Sequence, residues 1–274
     1  MTGPLIGAEE LRERLGDVTL LDVRYRLGES QGPPAHEAGH IPGAAYVDLE
    51  TELAGAAGPG GRHPLPTPGR FTDAMQRAGV SNGRPVVVYD DWSGHAAARA
   101  WWLLRHHGHR DVRVLDGGWP AWVAHGGAIE TGAVAPVPGD FSGAPGAMPV
   151  VDADAASRVA VLIDARAPER YRGEVEPVDP VAGRIPGAHN VPSLRNLDNH
   201  GHFRDPRELA RVYAEVGAVA GADVAVYCGS GVTAAHDVLA LELAGVRAAL
   251  YPGSWSHWIT DPQRPVATGP STHQ

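Results

Sequence analysis

Residues 20–24 read LLDVR, and residues 162–166 read LIDAR. GHIPGA at 39–44 returns as GRIPGA at 183–188, VVVYD at 86–90 as VAVYC at 224–228, and DGGWPAW at 116–122 as YPGSWSHW at 251–258. The spacings agree as well. Asp22 to His40 is 18 positions against 20 from Asp164 to Arg184, and Tyr89 to Trp119 is 30 against 28 from Tyr227 to Trp255. Four anchors in one order at matched spacing mark a tandem duplication. The fold must therefore be one that half the chain can form, made twice.

Between the copies, residues 126–150 are dominated by Gly, Ala and Pro, a composition that predicts a linker lying across the surface. The expected domains are then 1–125 and 151–274, each of ordinary size. Within each half, short apolar runs rich in β-branched residues alternate with helical patterns. In the second half VAVLIDAR reads as strand, DPRELARVYAEVG as helix, VAVY as strand and GVTAAHDVLALELAG as helix. Strands apolar throughout are covered on both faces. The fold class is α/β: two domains, each a mainly parallel sheet flanked by helices, with right-handed crossovers. Chemistry in such sheets sits at the carboxyl ends of the strands.

The net charge of −9 argues against nucleic acid or an anionic membrane as partner. All 23 basic residues are arginine, which excludes lysine Schiff bases and a P-loop lysine. No apolar stretch approaches the roughly 20 residues of a membrane span, and the N-terminus has no basic region followed by an apolar one. A single cysteine forms no internal disulfide. The expected location is the cytoplasm, with no nucleic-acid or membrane partner.

That cysteine, Cys228, stands where a strand run stops, ahead of Gly229, Ser230, Gly231, Val232 and Thr233. Free cysteines are commonly inert core residues. Here two glycines in three positions let main-chain N–H groups turn inward beside a helix N-terminus, a setting that favours the thiolate. Gly229 to Ala234 fits G-x-G-x-x-A, but a dinucleotide fingerprint opens the first βαβ unit and needs an acidic residue about 20 positions on. A nucleophile elbow needs glycine where Val226 stands. A cysteine phosphatase loop needs an arginine clamp, and no basic residue follows before Arg247. Sulfur transfer fits: a persulfide needs a cysteine thiolate and a cradle of N–H donors. HHGHR at 106–110 ends a helix whose mate in the other half carries no histidine, so no metal site is expected.

The motifs LLDVR, GHIPGA, LIDAR, RYRGE, GRIPGAHNVP, VAVYCGSGVTAA and YPGSWSHW together resemble the two-domain rhodanese, or sulfurtransferase, family over nearly the whole chain. The resemblance implies a non-catalytic first domain, with Asp90 at the cysteine position, and a catalytic second domain. Within the family CGSGVT resembles the 3-mercaptopyruvate branch, whereas thiosulfate enzymes carry basic residues in that loop. By that resemblance Cys228 is the nucleophile and Ser230 relays a proton. Arg170 in ERYRGE and His40 in GHIPGA contact the donor substrate. The branch places a second arginine nine positions after Arg170, where this chain has Asp179, leaving Arg172 and Arg184 as candidate substitutes. The acidic partner of His40 falls to Glu29 or Glu37.

The implied reaction moves a sulfane sulfur from a small anionic donor, 3-mercaptopyruvate ahead of thiosulfate. The acceptor is cyanide, a thiol or a reduced dithiol protein of thioredoxin type, and the route is a Cys228 persulfide without cofactor. The alternatives are a sulfur carrier or redox-sensing module without turnover, and a cysteine-loop phosphatase. Features shared by both copies, namely Asp22–Arg24 with Asp164–Arg166 and Trp119–Trp122 with Trp255–Trp258, read as structural. Thr233 reads as a support for the loop or a cap for the helix.

Overall fold

The computed structural model describes residues 3–26 and 31–270. Two units emerge. Unit 1 comprises residues up to Gly55, Leu65–Met148 and Asn199–His202; unit 2 comprises Ala56–Pro64, Pro149–Asp198 and the chain from Phe203. The units follow the halves of the sequence apart from two short exchanged segments, Ala56–Pro64 and Asn199–His202. The loop 56–64, which falls in the first half by sequence, packs in unit 2.

In unit 1 the strands β1 (Leu5–Ile6), β2 (Thr19–Asp22), β3 (Ala45–Tyr46), β4 (Val86–Tyr89) and β5 (Val112–Leu115) are ordered β1-β5-β4-β2-β3. In unit 2 the strands β6 (Val161–Asp164), β7 (His189–Asn190), β8 (Val224–Tyr227) and β9 (Ala248–Leu250) are ordered β7-β6-β8-β9. Every pairing among these strands is parallel. Val86–Tyr89 and Val224–Tyr227 are buried at every position, because helices cover both faces of the sheet. The helix Val232–Leu243 follows β8 directly, and most of its residues are buried. Among the described residues no helix is long and apolar enough to cross a membrane.

Each unit holds the same buried frame. Arg24 grips Asp22 through Nε and Nη2, with its Nη2 also donating to Gly39 O, and Arg166 does the same to Asp164 and Gly183 O. The guanidinium of Arg24 lies 4.9 Å from the Trp119 ring, and that of Arg166 4.9 Å from the Trp255 ring. Burial works against the charge on Arg166, but Asp164 more than offsets it and raises its pKa. These shared residues hold a strand end to the loop beside it.

The segment expected as a surface linker is more than that. Phe141 is fully buried edge-on to Phe71, and its N–H and carbonyl bond to Val80 O and Gln76 Nε2. A Cβ on Gly143 would stand 1.9 Å from His107 O, so only glycine lets the strap approach this closely. One aromatic side chain is enough to anchor a Gly/Pro-rich stretch.

Candidate active site

Cys228 follows the last residue of β8, and the chain then turns through Gly229, Ser230 and Gly231 into the helix Val232–Leu243. Gly231 is the N-cap at φ 81°, and a Cβ there would stand 2.3 Å from Pro252 O. Glycine is required on both counts. The N-cap residue, Gly231, has no side chain with which to cap the helix. Its first N–H groups face the loop with no partner inside the helix.

The Gly231 N–H donates to Cys228 Sγ at 3.1 Å. From the other side the turn 251–256 clamps the loop. Trp255 N–H donates to Cys228 O, Ser256 N–H to Gly229 O, and Cys228 N–H to Ser254 Oγ at 3.1 Å. Cys228 is 3% exposed. The sulfur is thus held in a buried residue rather than displayed on a surface.

Unit 1 shows what the same loop holds when the cysteine is replaced. Asp90 follows β4, and Gly94, at φ 80°, caps the next helix as Gly231 does. Trp92 and Gly94 N–H donate to Asp90 Oδ1 at 2.9 and 2.8 Å, and Ala97 N–H donates to Oδ2 at 2.9 Å. Trp119 N–H donates to Asp90 O as Trp255 N–H does to Cys228 O. Burial pushes the Asp90 carboxyl up, while the three N–H groups and His95 pull it back down. The turn that follows the strand is, in unit 1, a cradle of three N–H donors around one carboxylate, and in unit 2 the donor that matches Gly94, the Gly231 N–H, is on the sulfur.

The polar wall of the site comes from two places. Arg170 lies on the helix Pro168–Arg172, and Arg62 and His63 lie in the loop 56–64. A Cβ on Gly229 would stand 3.0 Å from Arg62 Nη2 and 3.5 Å from Arg170 Nη2, so both guanidiniums lie against the residue next to the nucleophile. Ser230 Oγ is 2.7 Å from His63 Nδ1. Arg170 is held by Glu176 at 2.6 and 3.2 Å. Asp179 touches both cations, at 2.5 Å from Arg62 Nη1 and 3.4 Å from Arg170 Nη2. Burial opposes the charge on Glu176, but Arg170 and the N–H groups of Val178 and Asp179 hold its carboxyl below the ordinary range.

The residues named from sequence therefore divide. Cys228, Ser230, the loop glycines and Arg170 come together. His40 belongs to unit 1, where it has no accessible surface, stacks on His36 at 3.9 Å, and is tied through Nδ1 to His36 O. Such a side chain has no face to offer a donor. The carboxylate nearest its Nε2 is Glu130, at 3.7 Å, and not Glu37; Glu29 lies outside the described residues. Of the candidate substitutes, Arg172 pairs with exposed Glu174, and Arg184 bonds to Gly269 O and stacks on Tyr171. The second guanidinium against Gly229 is that of Arg62. His106, His107 and His109 each bond to a backbone carbonyl, and no group of three His, Cys, Asp or Glu is placed to hold a metal among the described residues.

Comparison with known proteins agrees in fold. The rhodanese-like domain matches residues 7–125 and again 150–261. A Mycobacterium tuberculosis protein named as thiosulfate sulfurtransferase SseB is 47% identical over 97% of both chains. The 3-mercaptopyruvate sulfurtransferase of Escherichia coli is 36% identical over 95% of this chain and 96% of its own. The crystal structure of the E. coli enzyme SseA superposes with a TM-score of 0.82 at 35% identity, covering 93% of this chain and all of that one.

Proposed function

The chain belongs to the rhodanese-like domain family, and from that premise we propose that it is a sulfurtransferase working through a Cys228 persulfide, with 3-mercaptopyruvate the preferred donor. The observation that carries this reading is the sulfur of Cys228 receiving the Gly231 N–H while two guanidiniums lie over Gly229.

The Cys228 thiolate attacks the donor's sulfur. The C–S bond breaks, its electron pair leaves as the enolate of pyruvate, and a proton completes pyruvate. Ser230, hydrogen-bonded to His63, supplies that proton. The donor's carboxylate lies toward Arg170 and Arg62. The outer sulfur of the persulfide faces the N–H groups at the start of the helix Val232–Leu243, which favour negative charge there. An acceptor of the class of cyanide, a small thiol or a reduced dithiol protein then takes the outer sulfur, and the S–S electron pair returns to Cys228.

The donor preference rests on charge. The relatives carry both donor names. The loop 229–233 has no basic side chain, and the surrounding pair of guanidiniums is balanced by Glu176 and Asp179. A dianion such as thiosulfate gains little from a neutral wall, whereas a singly charged 2-oxo acid with a proton to collect is served by Ser230. Incubation with 3-mercaptopyruvate and no acceptor adds one sulfur to Cys228, about 32 Da by intact mass, as a covalent intermediate requires. An unchanged mass with both donors refutes the proposal.

A further inference from the structure

His63, the hydrogen-bond partner of Ser230, comes from the loop 56–64, where the described residues form no helix or strand that could aim it. Gly58 and Gly61 exchange main-chain hydrogen bonds at 3.0 and 2.9 Å, which closes the segment before Arg62 into a tight turn. That turn rests on the stretch 253–256. Gly61 sits at φ 106°, and a Cβ on it would stand 2.8 Å from Gly253 O and 3.0 Å from Ser256 Oγ, so glycine is needed for the approach. At the point of contact the Arg62 N–H donates to Ser256 Oγ at 3.0 Å, and the same hydroxyl donates to Gly253 O at 3.2 Å. The Ser256 N–H meanwhile donates to Gly229 O at 2.9 Å. One residue thus holds the loop of the nucleophile with its main chain and the residue before His63 with its side chain.

We propose that Ser256 is a positioning residue for proton delivery: its hydroxyl sets the register of the loop 56–64 against the loop of Cys228, and so places His63 on Ser230. The inference rests on the sulfurtransferase reading above. A hydroxyl suits the task because it accepts and donates at once. Without it the Arg62 N–H loses its acceptor, and the adjoining imidazole is free to leave Ser230, whereas a proton passes only across hydrogen-bond distance. Ser256 acts through His63 and not on the donor.

The test compares wild type with Ser256→Ala, with Gly61→Ala, and with Ser256→Ala combined with Ser230→Ala. It uses steady-state kinetics for 3-mercaptopyruvate and for thiosulfate with cyanide as acceptor, alongside donor loading read by intact mass. Ser256→Ala keeps the N–H on Gly229 O and removes the tie to Arg62. It lowers kcat for 3-mercaptopyruvate about tenfold, part of the factor a positioned acid supplies, and that for thiosulfate less than about threefold, since sulfite leaves without a proton. Gly61→Ala lifts the loop by a different route and gives the same asymmetry. In the Ser230→Ala background, Ser256→Ala costs less than about twofold more, because residues that act through one step are not additive. An unchanged kcat in Ser256→Ala, equal losses for both donors, a change confined to KM, or full additivity with Ser230→Ala overturns the inference while leaving the persulfide intact. A wild-type protein that gains sulfur from neither donor overturns the reading beneath it.

Discussion

Ser254 sits in the left-handed region at φ 53°, and among the described residues Ser93 is the other non-glycine residue there. That conformation costs an L-residue about 1–2 kcal/mol. The repeat supplies a reference: the position before Trp119 is Gly118, at φ 58°, where the same backbone is free of that cost. What serine adds is its hydroxyl. Oγ accepts the Cys228 N–H at 3.1 Å and donates to Tyr251 O at 2.9 Å, with the residue fully buried.

Two substitutions separate strain from function. Ser254→Ala keeps the strain and leaves a buried N–H and a buried carbonyl without their partner, at about 1–3 kcal/mol. Ser254→Gly loses the same hydrogen bonds but releases the strain. After the greater unfolded-state freedom of glycine is subtracted, it is more stable than the alanine variant by about 0.5–1 kcal/mol. Both variants free the backbone that aims the sulfur, so both load slowly, by about tenfold or more, because small displacements of a nucleophile are expensive. Denaturant unfolding reads the first quantity, and rapid-quench intact mass with 3-mercaptopyruvate reads the second. The expected order is wild type, glycine, alanine for stability, and wild type well above both variants for loading. A glycine variant that recovers the loading rate along with stability refutes the reasoning, because the hydroxyl would then matter only to the fold.

Stability falls with acid before the carboxylates titrate. His106 donates to Met148 O, His107 to Leu103 O and His109 to Ser81 O, and burial holds all three below the ordinary histidine value. The unfolded chain then binds protons first, near pH 6.5, so the stabilisation is complete above that value and drains away below it. The melting temperature should drop by several degrees between pH 7.5 and 5.5 by this linkage; a flat profile refutes it. Ser230→Ala should lower kcat for 3-mercaptopyruvate about a hundredfold, in the range of a lost proton donor, and for thiosulfate far less, since sulfite departs without a proton. Equal losses for both donors would place Ser230 in loop geometry instead.

The skeleton was legible because it was written twice: LLDVR and LIDAR fix the same Asp–Arg frame in both units, and the cysteine loop is local, so its glycines announce the turn. The wall of the site was not legible in the same way. Arg62 and His63 lie in AGAAGPGGRHPLPTPG, a stretch whose composition matches that of the linker, and its one signal is an Arg-His pair amid uncharged residues. No local period carries such a segment to Cys228, some 165 positions on; only tertiary packing does. Position 179 misled for a related reason. Reading one position at a time, Asp179 is a missing cation and the site is short of charge. With Arg62 in contact, the second cation is present, an anion has been added beside it, and the wall is neutral. Residue type at a motif position reports the field of a site only when every contributor lies within the motif. Here the decisive one, Arg62, comes from outside it, lying against Gly229 and paired with Asp179 although it is more than a hundred positions away from both.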